Sequence, residues 1–236
     1  MKIRCVYEHN GEDTILYAEN FIGAYTRGAS LSIAMEKMYQ EVSSYAEWCG
    51  KRPDESADIE IVQEKESDLQ ISDADSDVLF DTEKGMLTKE EYEELKALAL
   101  KSAEDFQYLY ESVPDRNLSC LPRRKTFYGD IPRTAEEMYV HTKNVNEYYF
   151  GEIGVKADNE GTILECRRNG FTLLEQMPDY LKNEVYTGSY GELWSLKKVL
   201  RRFIWHDRIH ARAMYRMAVR TFGAGTVSNR FRFYEM

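Results

Sequence analysis

What the chain lacks narrows it first. Its four cysteines, Cys5, Cys49, Cys120 and Cys166, lie far apart and form no CxxC pair. Neither a thiolate zinc site nor a disulfide framework is therefore expected, and the four read as free thiols. No apolar run approaches the roughly 20 residues that span a bilayer, and the opening MKIRCVYEHNGED has no signal-peptide layout; a cytoplasmic protein away from membranes is the expectation. Internal repeats are also missing. Histidine is scarce, with four in 236 residues, so where those four fall matters. With 43% apolar and 31% charged residues, the composition excludes a disordered chain and fits a soluble globular protein of one large or two modest domains.

Charge is uneven along the chain. From Ser195 to Met236 ten Lys/Arg stand against Asp207 and Glu235, a net of +8, which leaves −18 on the first 194 residues of a chain whose total is −10. The two regions should attract each other, or an acidic partner. The most acidic stretch, ESDLQISDADSDVLFDTEKG at 66–85, has no long amphipathic pattern and reads as a linker. The expected organisation is a small α+β domain at 1–65, an acidic linker at 66–87 and a helical domain at 88–236.

In the first part, KIRCVYE and DTILYAE read as two strands joined across HNGE, where Asn10-Gly11 is a strong hairpin signal. SLSIAMEKMYQEVSSYAEWCG has helical spacing at Ile33, Met35, Met38, Val42, Tyr45 and Trp48, with Ser30 or Ser32 as cap and Gly50 as stop. ADIEIVQE returns as a strand. After the acidic stretch the grammar turns helical. LTKEEYEELKALALKSAEDFQYLYESVP opens on a capping box, Thr88 with Glu91, keeps Tyr92, Leu95, Ala99, Phe106 and Val113 near one face, and ends at Pro114. RTAEEMYVHTKNVNEYYFG repeats the device with Thr134 and Glu137, and its inward stripe is expected at Met138, His141, Val145 and Tyr148. TILECRRNGFTLLEQMPDYL makes a third helix, bent at Gly170, and Ser195 caps a fourth that runs to about Gly223. The fold class is α+β, a small α+β unit followed by an up-and-down four-helix bundle.

The fourth helix carries the chemistry. Its seam, Leu196, Val199, Phe203, His206, His210, Ala213, Met217, alternates spacings of three and four, as in a helix packed within a bundle. Both histidines then point inward, and at i,i+4 they are rotated by only about 40° and separated by about 6 Å, so their rings can reach one point. His141 falls on the inward stripe of the second helix by the same reasoning. Three converging imidazoles out of four histidines point to one divalent metal, Zn, Ni or Fe, with at least one coordination position open to water or substrate. Each signal also has a plainer reading. HxxxH alone is weak, because core histidines satisfied by hydrogen bonds are common. The Arg208, Arg212, Arg216, Arg220 ridge could bind phosphates but in an acidic chain reads as a solvated face paired with acidic neighbours; Trp205, Tyr148 and Tyr149 could line a substrate pocket but at helical spacing read as core; Asp207, one residue off the His206 direction, reads as half of a surface ion pair rather than as a support for a metal ligand.

Residues 88–223 resemble the DinB/YfiT-like family of four-helix metalloproteins, whose signature is a histidine on the second helix and HxxxH on the fourth. RTAEEMYVHTKNVNEYYF and GELWSLKKVLRRFIWHDRIHARAMYRMA carry the likeness. The resemblance implies His141, His206 and His210 as metal ligands. It also implies activation of a low-molecular-weight thiol such as bacillithiol, mycothiol or glutathione for S-transfer or isomerisation, or hydrolysis as viewed for YfiT-like members. The N-terminal unit resembles HicB-like antitoxin domains in its strand-strand-helix order and in GASLSIAMEKMYQEVSSYAEW, with no toxin-facing motif to carry over, so an accessory packing role is expected of it. Two functions stand open: a metal-dependent transferase or hydrolase acting on a small electrophile, and a non-catalytic binding protein stabilised by its metal. The expected partner is a small-molecule substrate, with a homodimer as the candidate assembly and neither nucleic acid nor membrane involved.

Overall fold

An almost unbroken apolar run such as TILYA suits a strand buried on both faces, and it forms the inside of the N-terminal sheet. The computed structural model describes residues 1–126 and 129–234. Strands β1 (Lys2–Asn10), β2 (Asp13–Ala18), β3 (Tyr25–Gly28) and β4 (Asp58–Glu66) pair in the order β3-β2-β1-β4, with β1 and β4 parallel and the other pairs antiparallel. The β1–β2 hairpin closes with Asn10 opposite Asp13, and Gly11 takes the positive φ of 58° that a two-residue loop requires. β3 had no sequence signal: YTRG has no alternation, and pairing to β2 alone makes it a strand. Helix α1 (Leu31–Trp48) follows, capped by Ser30, whose hydroxyl accepts from the Ile33 amide. It covers the sheet face of Ile3, Cys5, Leu16 and Ala18 with Ala34, Met38 and Val42.

The other face, Val6, Ile15, Tyr17 and Tyr25, meets Ile71, Val78 and Phe80 from the acidic segment and Trp205 from the last helix. The acidic segment thus contributes buried side chains. It is also tied by charge, since the buried Glu83 carboxylate accepts from the Arg201 guanidinium, and Arg202 donates to the Ser76 carbonyl at 2.9 Å.

Four helices follow: α2 (Lys89–Ser112), α3 (Ala135–Gly151), α4 (Ile163–Leu174) and α5 (Leu196–Phe222). Capping boxes open the first three, at Thr88/Glu91, Thr134/Glu137 and Thr162/Glu165, and the Ser195 hydroxyl caps α5. Two short ladders, β5 (Lys125–Thr126) with β6 (Gly129–Asp130) and β7 (Tyr186–Thr187) with β8 (Leu193–Trp194), lie in the connections. α5 packs on α2 and α3, and α4 packs on the same two helices. Gly170 sits inside α4 because a Cβ there would lie 2.1 Å from the Phe150 ring of α3. All four cysteines are free, and among the described residues no helix is long and apolar enough to cross a membrane.

α5 departs from the one-sided helix its seam implied, because it is packed on two sides. Val199, Phe203 and Met217 join the helical core, while Ile204, Trp205, Arg201 and Arg208 turn to the sheet, α1 and the acidic segment. Two expectations are corrected by this. Arg208 is fully buried and donates to Glu41 of α1 at 2.9 Å, and Arg212, four-fifths buried, reaches the same carboxylate; only Arg216 and Arg220 of the ridge are exposed. Asp207 makes no surface pair. It is fully buried, accepts Arg167 of α4 at 3.2 Å on each oxygen, and takes the Ser102 hydroxyl at 2.5 Å. The two halves also approach very closely at Gly23, between β2 and β3, where φ is +91° and a Cβ would lie 2.4 Å from Cγ2 of Ile204.

Candidate metal centre

The i,i+4 pair on α5 and the histidine on α3 meet as the spacing predicted. The imidazole centroids of His206 and His210 are 4.4 Å apart, those of His141 and His210 4.6 Å, and those of His141 and His206 5.1 Å. One nitrogen from each ring lies within 4.8 Å of the others. Two nitrogens each about 2.0–2.1 Å from a tetrahedral ion stand about 3.3 Å apart, so small ring rotations close the set. No Asp, Glu or Cys joins it among the described residues.

The rings are not equally inward. α3 buries Ala135, Met138, Thr142, Asn146, Tyr149 and Phe150, a face turned by about one residue from the expected stripe. His141 therefore stands at the edge of that face and is exposed, while His210 is half-buried and His206 is 7% exposed. The cluster runs from a wet rim at His141 to a dry base at His206. Tyr149 closes the base, its ring edge-on to His206 at 6.0 Å. Trp205 and Tyr149 are buried, as core residues should be, and both adjoin His206.

Electrostatics set the protonation of the cluster. Burial, then the neighbouring His210 and His141, then Arg202 and Arg167, hold His206 well below the ordinary imidazole value. His210 falls to about 3, through burial first and then His141 and Arg27; burial lowers His141 as well. All three are neutral at pH 7, the form that ligates metals. Nδ1 of His206 is buried with no hydrogen-bond partner among the described residues. An unpaired buried polar atom costs about 1–3 kcal/mol. Three neutral borderline donors converging from two helices fit a divalent ion of the zinc, nickel or iron type.

Sequence reasoning missed the cations around the centre. Arg27 comes from β3, the strand without a signal, and nothing in the sequence singled out Arg167 or Arg202. Their field acts on His210 and His206. No family model, no curated protein and no solved structure matches the chain.

Proposed function

We propose that this protein is a DinB/YfiT-like metalloprotein in which α2 to α5 form the four-helix bundle, and that it acts as a metal-dependent thiol S-transferase or hydrolase on a small electrophile. The convergence of His141, His206 and His210 from two helices, with no carboxylate or thiolate among the described residues, is the observation that carries the reading. When bound, a divalent ion supplies Lewis acidity that brings the pKa of water or a low-molecular-weight thiol toward neutrality.

The chain's own residues do the rest. His206 and His210 stay unprotonated well below pH 7, so no proton must be lost before they ligate. As neutral ligands, His141, His206 and His210 would leave the double charge of a bound ion undiluted. Arg27 and Arg202 add a positive field that favours an anionic nucleophile over a neutral one, while the charge of Arg167 is balanced by Asp207. Tyr149 and Trp205 keep water from the base of the cluster, and the exposed edge at His141 leaves the approach for substrate.

The test is metal analysis of the purified protein with a screen of small thiols against generic electrophiles. About one divalent ion per chain is expected, with most of it lost in His206→Ala. Full retention of metal by that variant would sink the assignment. Thiol transfer or hydrolysis that stops on chelation and returns with added metal supports the enzyme; metal that binds without any such activity favours the binding-protein reading.

A further inference from the structure

A cleft of about 310 Å³ opens between β3, α1 and α5. Its charge runs against that of the molecule. Arg27, Lys37, Arg212 and Arg216 line it against one carboxylate, Glu41, in a chain whose net charge is −10. Glu41 is already engaged by Arg208 and Arg212, which outweigh its burial and hold its carboxyl below the usual range. Lys37 donates to the Arg27 carbonyl at 2.9 Å, and Arg27 donates to the Ser72 carbonyl at 3.2 Å. Both acceptors are neutral, and neither cation has an acidic partner among the described residues.

Aromatic rings share the remaining walls with Thr26, Gln40 and Ser44. Tyr25 and Phe233 flank the Arg212 guanidinium at 5.6 and 5.0 Å, and Tyr234, 40% exposed, stands at the edge. Guanidinium groups grip phosphate oxygens in pairs, and rings beside them suit a flat apolar body. We infer that the cleft binds a small phosphate-bearing molecule with a planar body, of nucleoside-phosphate size. The volume lies at the small end of the roughly 300–1,000 Å³ typical of ligand pockets. A long polyanion such as RNA is disfavoured, because beyond the cleft it would meet the acidic remainder of the chain.

The inference needs none of the three histidines; Arg27 borders both the cleft and the histidine centre, so the test is run without metal and reads Lys37→Ala beside Arg27→Ala. The full chain, treated with a chelator, is titrated calorimetrically with ADP and with pyrophosphate at low salt. ADP is expected to saturate with a Kd below about 1 mM, at least about tenfold tighter than pyrophosphate, and to weaken steeply as salt rises. Lys37→Ala and Arg27→Ala, both at exposed positions, should each weaken ADP about tenfold while leaving the far-UV spectrum and melting temperature unchanged. A rise in the melting temperature of the unmutated chain with ADP gives a second reading that needs no variant. Absence of saturation, equal affinity for ADP and pyrophosphate, or unaltered ADP binding in a folded Lys37→Ala, Arg27→Ala double variant would overturn it.

Discussion

Asp207 touches none of the three imidazoles in any contact described above, yet a large share of the fold's stability should depend on it. Its carboxylate and the Arg167 guanidinium are both fully buried and joined by a two-pronged contact, with Ser102 as a third partner. Removing one member leaves the other charge in a dry interior, which costs about 3–5 kcal/mol, whereas replacing both with apolar residues of similar volume is often neutral. Asp207→Ala is therefore expected to lower the urea midpoint sharply, and an Asp207→Leu, Arg167→Met pair to recover most of the loss. Little change in the single variant would contradict the buried-pair account. His141 offers the opposite case. Exposed at the rim, it should tolerate His141→Ala with a stability change within about 0.5 kcal/mol in metal-free protein, while metal affinity drops. A variant that unfolds instead would make His141 a packing residue.

At the scale of one helix, α5 marks where sequence reading succeeded and where it stopped. The three-four spacing placed His206 and His210 on a single face, and the capping boxes marked the starts of α2 and α3 because those devices are local. The burial of Arg208 and Asp207 was not legible: charge at helical spacing looks the same whether water or Glu41 lies opposite, and Glu41 is 167 residues away. The same limit hid β3, which owes its strand character to a neighbour. The histidines give α5 a pH signature. In the folded, metal-free chain His206 and His210 titrate below their ordinary value of 6.5, His210 near 3, while the unfolded chain takes up protons as pH falls through about 6.5. Stability is thus full above that value and drains as pH falls, by up to about 1.4 kcal/mol per pH unit for each histidine, until the folded values are reached. Urea unfolding in chelator at pH 7.5 and 5.5 measures this. Equal stability at both, or an unchanged slope in a His206→Asn, His210→Asn variant, would refute it.

Over the whole molecule, one apolar core joins the halves. Ile3, Leu16, Met38 and Val42 belong to the same buried cluster as Phe106, Phe203 and Met214, and the acidic segment fills the other face of the sheet. Stripping metal at neutral pH should therefore leave the far-UV helical signal largely intact and lower the melting temperature only moderately. Heating should unfold the chain in one transition, with no separate early step from residues 1–65. Scanning calorimetry with and without chelator decides both; two resolved transitions, or loss of helicity on chelation, would contradict the expectation. The Gly23 contact carries a mechanical consequence. With only a hydrogen atom between the sheet's turn and Ile204, the gap between the halves behaves as a shim of fixed thickness, and Arg27, four residues along the chain, inherits its setting. Gly23→Ala should cost about 1–3 kcal/mol from the clash, on top of about 1–2 for the left-handed backbone, and Ile204→Ala should return part of the first sum when combined with it. The spacing of the histidine cluster and the cleft would then be tuned from a residue that lines neither.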